Sequence, residues 1–374
     1  MLKTPVHQFH LDHGGQMVDY AGWEMPIRYT SVQAEHTQCR TSGAVFDVSH
    51  MGRLELKGLH AKRLLERTCT RRITGMVPGQ SRYGLVCNER GGVRDDIIAM
   101  KQDDDRFLVV CNGANRVKIR EHLQGVIDER GLKVKLNDTT EKTAMVAIQG
   151  PRVMDLIGTV SSEIPTLKRF RFLEKSLMIV KVIVSRTGYT GEDGVEVILP
   201  AAATGMAMKM LMKEVDPDDP NAVLKPAGLA ARDTLRLEAA MPLYGHELEE
   251  DINALETGLD FAIHLDKNED EDGETFIGQE ALIRTRDEGG PRRRLVGIRL
   301  DGKRTPRQGM PVLVGGEARG VVTSGCLSPT LGCPIAMAYV QTGHHETGNA
   351  VGIDAGRATL EGEIVPLPFY TRAK

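Results

Sequence analysis

The chain has 374 residues, with 48 Lys and Arg against 51 Asp and Glu, and a formal net charge of −3. This balance provides no overall basic field and no local basic patch is evident, so we expect no nucleic-acid partner. Glycine contributes 40 residues, about 11% of the chain against an average of about 7%. Such a content predicts many tight turns between short strands. The length predicts two or three domains.

The amino-terminal segment, MLKTPVHQFHLDHGG, has neither the apolar stretch of a secretory signal nor the Arg- and Ser-rich pattern of a transit peptide. No stretch of the sequence approaches the 18 or more apolar residues that a membrane-spanning helix requires. We therefore expect a soluble, cytoplasmic protein without a membrane partner.

The cysteines and histidines could serve redox or metal chemistry, but their spacing argues against both. We expect buried or incidental thiols, since no C-x-x-C occurs among Cys39, Cys69, Cys87, Cys111, Cys326 and Cys333. His7, His10 and His13 recur every three residues and could share one helical face. Because spacing fixes no acidic or thiolate partner for them, we expect a structural or surface role and no metal.

Short β-rich runs bounded by turn residues occupy the first part of the chain. Residues 82–88 and 93–100 flank Gly91-Gly92 and predict a β-hairpin. Further strands are predicted at residues 107–112, 177–185 and 195–199, and helices at residues 201–215 and 226–240.

The composition changes near residue 266. Residues 266–274 contain six acids and one lysine and predict a surface loop near a domain boundary. Beyond Pro291, turns containing glycine separate strands predicted at residues 294–300, 311–314, 319–323, 336–340 and 358–366. This pattern predicts a small barrel or sandwich of about 80 residues.

Several common enzyme motifs are absent from the sequence. It contains no G-x-x-x-x-G-K-[ST], which excludes a P-loop, and no G-x-G-x-x-G between a strand and a helix, which argues against a Rossmann dinucleotide site. The G-x-S-x-G elbow and the H-E-x-x-H zinc motif are absent as well.

Two adjacent acids, Asp95 and Asp96, lie on the second strand of the predicted hairpin. Neighbouring side chains on a strand point to opposite faces, so at most one of these carboxylates faces a given pocket. An acid that faced inward would need a hydrogen bond or an ion pair. The alternative is a hairpin rim with two solvated acids.

A second candidate is Glu196, which follows the glycine-rich turn TGYTGEDG at residues 187–194. Its side chain points away from those of its two strand neighbours, toward either a pocket or solvent. We expect the acids of the turn itself, Glu192 and Asp193, to be exposed.

A third candidate is the pair Arg232 and Arg236, which project from one side of a predicted helix. They could form a clamp for an anion or a polar ring, for which the planar guanidinium is well suited. The alternative is a solvated helix face on which Asp233 and Glu238 pair with basic neighbours. None of the three groups defines a reaction by itself.

Taken in order, the segments of the chain resemble the glycine cleavage T-protein family, the aminomethyltransferases. The matching segments cover nearly the whole chain: His13-Gly14-Gly15 with Ala21-Gly22-Trp23, Phe46 to Met51 (FDVSHM), Gly91-Gly92 through Asp95-Asp96, the 187–194 turn, Gly228 to Asp233 (GLAARD), Leu243-Tyr244-Gly245, and Val322 to Gly325 (VTSG).

This resemblance implies an α+β fold of three domains that form a cloverleaf around a central channel, with a C-terminal all-β, barrel-like domain. The expected domains are residues 1–50 with 142–265, an inserted domain at 51–141, and residues 290–374. The implied reaction moves a one-carbon methylene unit from the aminomethyl group on lipoylated H-protein to tetrahydrofolate. It releases ammonia and forms 5,10-methylenetetrahydrofolate, with the other glycine cleavage components as further partners.

The resemblance also implies the site residues. Asp96 looks like the catalytic carboxylate near the reactive nitrogens of the folate, Glu196 like a pterin-binding residue, and Arg232 matches a substrate-binding position. Four tyrosine and asparagine positions match residues of the folate site: Tyr83, Asn112, Tyr244 and Tyr370. Arg94 departs from the family, because many relatives carry an apolar residue before the two acids.

Two other functions stay open. Another folate-dependent transferase on the same scaffold, such as a demethylase of a small methylated donor, would share these segments. A folate-binding accessory protein of iron–sulfur cluster maintenance would carry Lys-Gly-Cys before Gly-Gln-Glu. Here Phe276-Ile277 precedes Gly278-Gln279-Glu280, which counts against that alternative.

Overall fold

The computed structural model of the chain describes residues 1–177, 180–212, 219 and 221–372. The chain divides into two compact units. The first consists of Met1–Leu64, Gly75–Arg82 and Ile97–Asp233, and the second of Leu65–Thr74, Tyr83–Asp96 and Thr234–Lys374. Each unit has hydrophobic clusters of its own.

The described residues form three open sheets and one closed barrel. In chain order the strands are β1 (Leu2–Lys3), β2 (Gln16–Tyr20), β3 (Trp23–Arg28), β4 (Gly43–Asp47), β5 (Gly52–Lys57), β6 (Gln80–Cys87), β7 (Val93–Asp103), β8 (Arg106–Cys111), β9 (Lys135–Asp138), β10 (Thr143–Gln149), β11 (Phe172–Leu177), β12 (Val180–Ser185), β13 (Gly194–Pro200), β14 (Leu224–Pro226), β15 (Arg293–Leu300), β16 (Pro311–Val314), β17 (Glu317–Leu327), β18 (Pro334–Gln341), β19 (Ala350–Asp354) and β20 (Thr359–Val365).

The helices connect these strands. They are α1 (His7–Asp12), α2 (Val32–Thr41), α3 (Ala61–Thr68), α4 (Arg116–Arg130), α5 (Val153–Val160), α6 (Thr204–Met212), α7 (Leu229–Glu238) and α8 (Gln279–Asp287). Within the described ranges, none of them combines the length and the apolar character needed to cross a bilayer.

A six-stranded sheet with the order β11-β12-β13-β10-β4-β14 forms the centre of the first unit. Its strands pair antiparallel except β14, which runs parallel to β4. β4 is buried along its whole length, as expected for a strand covered on both faces. The sheet aligns Glu196 on β13 with Ala147 on β10 and Ser185 on β12, so the backbone at Glu196 is held between two neighbouring strands.

The strand predicted at residues 195–199 is confirmed as β13, whereas the single strand predicted at residues 177–185 is wrong. Leu177 ends β11 and pairs with Val180, the first residue of β12, across an antiparallel ladder. Residues 178–179 lie outside the described residues. The β-rich run therefore belongs to two strands, and no glycine or proline in it indicates the division.

The predicted hairpin at residues 82–100 is confirmed as β6 and β7, which are neighbours in a five-stranded sheet of order β6-β7-β8-β5-β9. The turn between them depends on Asn88, whose side-chain oxygen accepts hydrogen bonds from the backbone N–H of Arg90 and Gly92, both at 3.0 Å. Gly91 has a φ of 80°, which glycine adopts without strain. Asp96 is the fourth residue of β7, which begins directly after this turn, and it belongs to the second unit.

The predicted carboxy-terminal barrel is confirmed as a closed barrel of order β15-β18-β17-β16-β19-β20. Its interior is filled by Val, Ile, Leu and Ala side chains, among them Ile298, Val312 and Ile353. β19 was not predicted from the sequence, because Gly352 interrupts its short apolar run.

Two predicted helices are observed with shorter bounds. The helix predicted at residues 226–240 is α7, and Pro226 ends β14 instead of starting the helix. The helix predicted at residues 201–215 consists of a 3-10 turn, Ala201–Ala203, followed by α6. The predicted residues 213–215 lie outside the described residues.

The acidic segment at residues 266–274 is not simply a solvated loop, because Lys267 is completely buried. Its Nζ donates hydrogen bonds to the carbonyl oxygens of Glu66 and Cys69 at 2.8 Å and of Arg71 at 3.0 Å, and lies 2.6 Å from Glu66 Oε2. Burial lowers the pKa of Lys267, while the Glu66 carboxylate opposes this shift. A buried ammonium is tolerated here because carbonyl oxygens and one carboxylate surround it.

We predict that Lys267→Met lowers the free energy of unfolding by about 3–5 kcal/mol, because the substitution leaves the Glu66 carboxylate buried without its cation. Urea unfolding followed by circular dichroism measures this change. Lys303→Met, at an exposed lysine of the same unit, is the control and should change stability by about 0.5 kcal/mol or less. Equal losses in the two variants would contradict a stabilising role of the buried ammonium.

Candidate active site

In the second unit, strand alternation gives Asp95 and Asp96 different environments. Asp95 is completely buried, whereas Asp96 is half-buried and its Oδ2 accepts a hydrogen bond from the Tyr83 hydroxyl at 3.0 Å. The predicted separation of the two acids is therefore confirmed, and the alternative of two solvated acids is wrong. Arg94, two residues before Asp96, lies 3.6 Å from the carboxylate of Glu89 in the hairpin turn.

An exposed aromatic ring stacks on Tyr83, the hydrogen-bond partner of Asp96. The ring of Phe261 stacks on Tyr83, with 6.0 Å between ring centroids and 25° between ring planes, and it is 58% exposed. Tyr83 and Tyr244 pack against one hydrophobic cluster that includes Leu85 and Leu248. This part of the second unit thus combines a half-buried carboxylate with an exposed aromatic face, which suits a flat polar heterocycle.

Tyr370 lies in the tail that follows the barrel. It is half-buried, and its backbone N–H donates to the carbonyl oxygen of Glu238 at 2.8 Å, while the preceding Phe369 packs against the hydrophobic cluster that contains Leu237. The carboxylate of Glu238 accepts hydrogen bonds from the Ser328 hydroxyl and from Thr330. Glu238 is therefore a buried anchor at the end of α7 and does not form the solvated helix face considered from the sequence.

In the first unit, Glu196 faces the protein interior. It is 7% exposed, and its Oε2 accepts a hydrogen bond from the Thr187 hydroxyl, which lies 3.0 Å from the hydroxyl of Ser185. The sequence left open whether this side chain faces a pocket or solvent, and its low exposure shows that it does not face solvent. The second carboxylate oxygen of Glu196 can still accept hydrogen bonds.

The expectation that the acids of the 187–194 turn are exposed is wrong. The Glu192 side chain is 3% exposed and lies 2.8 Å from Nη1 of Arg40, and Asp193 forms an ion pair with Arg186 at 2.5 Å. Each acid is covered because it balances an arginine. The arginine that covers Glu192 comes from α2, far along the chain, and local composition gives no indication of this contact.

Arg232 and Arg236 have different surroundings although they are one helical turn apart. The guanidinium of Arg232 lies over the ring of Tyr189, 4.7 Å from its centroid, and its buried Nη1 has no hydrogen-bond partner among the described residues. Arg236 is completely buried and forms an ion pair with Glu247 at 2.8 Å. The hypothesis of a two-arginine clamp is therefore wrong for Arg236, which has a structural role, and Arg232 retains an unused donor.

Asn112 lies immediately after β8 and is half-buried. The next residue, Gly113, packs so closely on His50 that a Cβ would lie 2.6 Å from the His50 carbonyl oxygen. His50 is 5% exposed, and its Nδ1 has no hydrogen-bond partner within the described ranges. Burial lowers the pKa of His50 to about 4; the Asp47 carboxylate opposes the shift, and the Arg232 guanidinium adds to it. The imidazole is therefore neutral at pH 7.

The three regularly spaced histidines have separate partners. His7 Nε2 lies 3.0 Å from Glu24, His10 Nε2 lies 2.9 Å from Asp47, and His13 Nδ1 lies 2.8 Å from the carbonyl oxygen of Phe9. In residues 1–177, 180–212, 219 and 221–372, no group of three or more His, Cys, Asp or Glu side chains is arranged to hold a metal ion. All six cysteines are free thiols, and five of them are buried.

Two aromatic residues beside the candidate residues were not predicted from the sequence. Tyr189 carries the cation–π contact of Arg232, and a tyrosine inside a glycine-rich turn was the available signal. Phe261, which stacks on Tyr83, lies in a segment without a motif or a period, so no signal could have identified it.

Comparisons with known proteins cover both units. Residues 6–267 match the family model described as the GCVT N-terminal domain, and residues 293–371 match the one described as the glycine cleavage T-protein C-terminal barrel domain. A relative from Rubrobacter xylanophilus named aminomethyltransferase is 45% identical over 376 positions, covering 100% of this chain and 95% of the relative. A relative of the same name from Listeria monocytogenes is 38% identical, with coverages of 100% and 99%.

A solved structure is also similar over the whole chain. It is the crystal structure of glycine cleavage system aminomethyltransferase T from Bartonella henselae, with a TM-score of 0.88 and 28% sequence identity. The alignment covers 99% of this chain and 98% of that one.

We predict that His50 makes the stability of the protein sensitive to acid. The folded-state pKa of about 4 lies below the ordinary value of 6.5, so the unfolded chain takes up the proton first as the pH falls. The stabilisation by the neutral imidazole is complete above pH 6.5 and is lost as the pH approaches 4. The loss amounts to about 3 kcal/mol.

Urea unfolding between pH 7 and pH 4.5 tests this prediction. His50→Asn, which cannot take up a proton, should lose less stability over this range than the unmodified protein. His345→Asn, in the turn after β18, is the control and should follow the unmodified protein. If the free energy of unfolding falls equally with pH in His50→Asn and in the unmodified protein, His50 does not cause the acid sensitivity.

Proposed function

Because the chain belongs to the glycine cleavage T-protein family of aminomethyltransferases, we propose that it transfers a methylene unit from aminomethyl-lipoyl H-protein to tetrahydrofolate. The observation that carries this proposal is the half-buried Asp96 carboxylate, which the Tyr83 hydroxyl binds beside the exposed ring of Phe261. A carboxylate can accept a proton from a ring nitrogen of a folate, and an aromatic face can stack on the folate ring.

The proposed reaction has a simple balance of bonds. The C–N bond to ammonia and the C–S bond to the lipoyl arm break, and bonds from the same carbon to N5 and N10 of the folate form. The two protons that leave N5 and N10 go to ammonia and to the lipoyl sulfur. The products are 5,10-methylenetetrahydrofolate, ammonia and dihydrolipoyl H-protein.

Asp96 has the central role in this proposal. Its carboxylate orients N5, accepts the N5 proton and stabilises the cationic methylene-iminium species that forms as ammonia leaves. The hydrogen bond from Tyr83 fixes the orientation of the carboxylate. Phe261 offers an apolar face for the folate ring.

Residues of the first unit have proposed roles in folate binding. Glu196 accepts hydrogen bonds from N3–H and the 2-amino group of the pterin, for which Thr187 holds its carboxylate in place. Arg232 donates from its unpartnered Nη1, since a buried donor without a partner is rare unless a ligand supplies one. Asn112 is proposed to contact the folate as well.

Tyr244 and Tyr370 complete the proposed set of folate-site residues in the second unit. Tyr244 packs against the same cluster as Tyr83, and Tyr370 is tied to the end of α7 through the Glu238 carbonyl oxygen. Both tyrosines are half-buried, so each keeps part of its surface for a ligand.

A donor assay tests the proposed reaction. We expect the purified protein, supplied with tetrahydrofolate, to form methylenetetrahydrofolate and ammonia from aminomethylated, lipoylated H-protein. H-protein without its lipoyl group is the control and should give no product. Product formed only from free methylated amines would instead support a demethylase on the same scaffold.

Asp96→Asn tests the proposed role of the carboxylate. The amide keeps the shape of the side chain but cannot accept the N5 proton, so kcat should fall by about 10²- to 10⁴-fold. Binding of tetrahydrofolate, measured by calorimetry, should largely survive. Glu89→Gln, at an exposed acid of the same hairpin, is the matched control and should keep full activity. Unchanged turnover in Asp96→Asn would remove Asp96 from the mechanism.

A further inference from the structure

Helix α2 carries two charged side chains that the proposed chemistry does not use, Glu35 and Arg40. Glu35 is 4% exposed, and the Arg40 side chain is 6% exposed. Buried charges on a short helix require specific partners. In the first unit, these partners belong to the two segments that bring Arg232 and Tyr189 together.

Glu35 fixes the start of α7. Its Oε2 accepts a hydrogen bond from the backbone N–H of Gly228 at 2.8 Å, and its Oε1 accepts hydrogen bonds from the N–H groups of Tyr29 and Thr30, both at 2.7 Å. Gly228 immediately precedes α7, where N–H groups lack partners within the helix and a negative charge is favourable.

The packing around Gly228 allows little movement. A Cβ at this position would lie 2.3 Å from the carbonyl oxygen of Ile27 in β3, so the backbones approach directly. Arg232 is one turn into α7, and its backbone N–H donates to the carbonyl oxygen of Gly228 at 3.1 Å. A shift of Gly228 would therefore move the Arg232 guanidinium.

Arg40 fixes the turn that carries Tyr189. Its Nη1 donates to the carbonyl oxygen of Thr190 at 2.6 Å and to Oε1 of Glu192 at 2.8 Å. Thr190 is the next residue after Tyr189, so the Arg40 contact holds the backbone on which the tyrosine ring is mounted. Gln149 adds a second restraint, because its side-chain oxygen accepts a hydrogen bond from the Thr190 hydroxyl at 3.1 Å.

We propose that α2 is a positioning element for ligand binding by Arg232. Glu35 fixes the helix that carries Arg232, and Arg40, paired with Glu192, fixes the turn that carries Tyr189. The guanidinium is thereby held over the ring with Nη1 available to a ligand. The inference rests on the proposed function only in taking that ligand to be tetrahydrofolate. Glu35 and Arg40 are positioning residues, because they act through Arg232 and Tyr189.

Arg40→Gln tests the proposal. It should raise the Kd for tetrahydrofolate by about 2- to 30-fold, the range typical of residues that act through a contact network. KM for tetrahydrofolate should rise in parallel, while kcat changes less than twofold, because Arg40 does not contact the reacting atoms. Arg40→Lys, which keeps the charge, should recover part of the affinity. Gln33→Ala, on the exposed side of α2, is the control and should change nothing.

The decisive measurement is a double-mutant cycle with Arg232→Gln. If Arg40 acts through Arg232, then Arg40→Gln adds little to the Kd of a protein that already lacks the guanidinium. An equal rise of Kd in both backgrounds overturns the proposal, since it would indicate a general loss of structure. Glu192→Gln removes the same ion pair with a smaller change in volume. This variant tests the same contact if Arg40→Gln folds poorly, and it should also raise the Kd for tetrahydrofolate.

Hydrogen exchange separates this proposal from the proposed function. Without any ligand, Arg40→Gln should increase amide exchange in residues 187–194, while α5 should exchange as in the unmodified protein. Unchanged exchange in residues 187–194 overturns the positioning role whatever the protein binds. Failure of the unmodified protein to bind tetrahydrofolate would overturn the proposed function, and the exchange result would then decide the positioning role alone.

Discussion

The first unit depends on one buried cation, Arg53. Its guanidinium is completely buried and donates hydrogen bonds to the carbonyl oxygens of Ser49, Met51, Thr140 and Thr143. Burial lowers the pKa of Arg53 to about 10, a shift that the carboxylate of Asp47 opposes, so the side chain keeps its charge at pH 7. Without the guanidinium, four carbonyl oxygens would lose a donor at once, and those of Ser49 and Thr140 are buried.

These carbonyl groups lie on the two segments that join the six-stranded and five-stranded sheets. Ser49 and Met51 lie between β4 and β5, and Thr140 lies between β9 and β10, which begins at Thr143. Arg53 thus binds both segments through which the chain leaves the six-stranded sheet and returns to it. The domain boundaries that we propose, after residue 50 and after residue 141, fall in these segments. His50 lies in the segment between β4 and β5, so this segment also contributes to the surroundings of Arg232 and Asn112.

The elements that could be predicted from the sequence are those whose signal is local. The hairpin around Gly91-Gly92 follows from β-rich runs and a glycine turn, and the alternation along β7 correctly separates Asp95 from Asp96. The barrel follows from short strands separated by turns that contain glycine. β19 and the division between β11 and β12 were missed, because a glycine interrupts the first and no turn residue indicates the second.

The wrong predictions about charged residues have one physical cause. Glu192, Arg236 and Lys267 were expected on a surface or at a ligand, yet each is buried against an opposite charge. Glu192 and Arg40 are 152 residues apart in sequence, and Lys267 and Glu66 are 201 residues apart. Composition indicates that a charged residue prefers water, but burial depends on a partner that only the fold brings near. The unpartnered Nη1 of Arg232 is likewise visible only in three dimensions.

The position of β4 inside its sheet has a consequence for synthesis on the ribosome. β4 pairs with β10 on one side and with β14 on the other, and β14 is made about 180 residues later, which takes roughly 10–40 s at usual elongation rates. Until then one edge of the apolar strand β4 has no partner, and such an open edge can pair with other strands. The five-stranded sheet comes from the continuous stretch between Gly52 and Asp138, so it can be completed first. All the strands of the five-stranded sheet are therefore made while the six-stranded sheet still lacks β14.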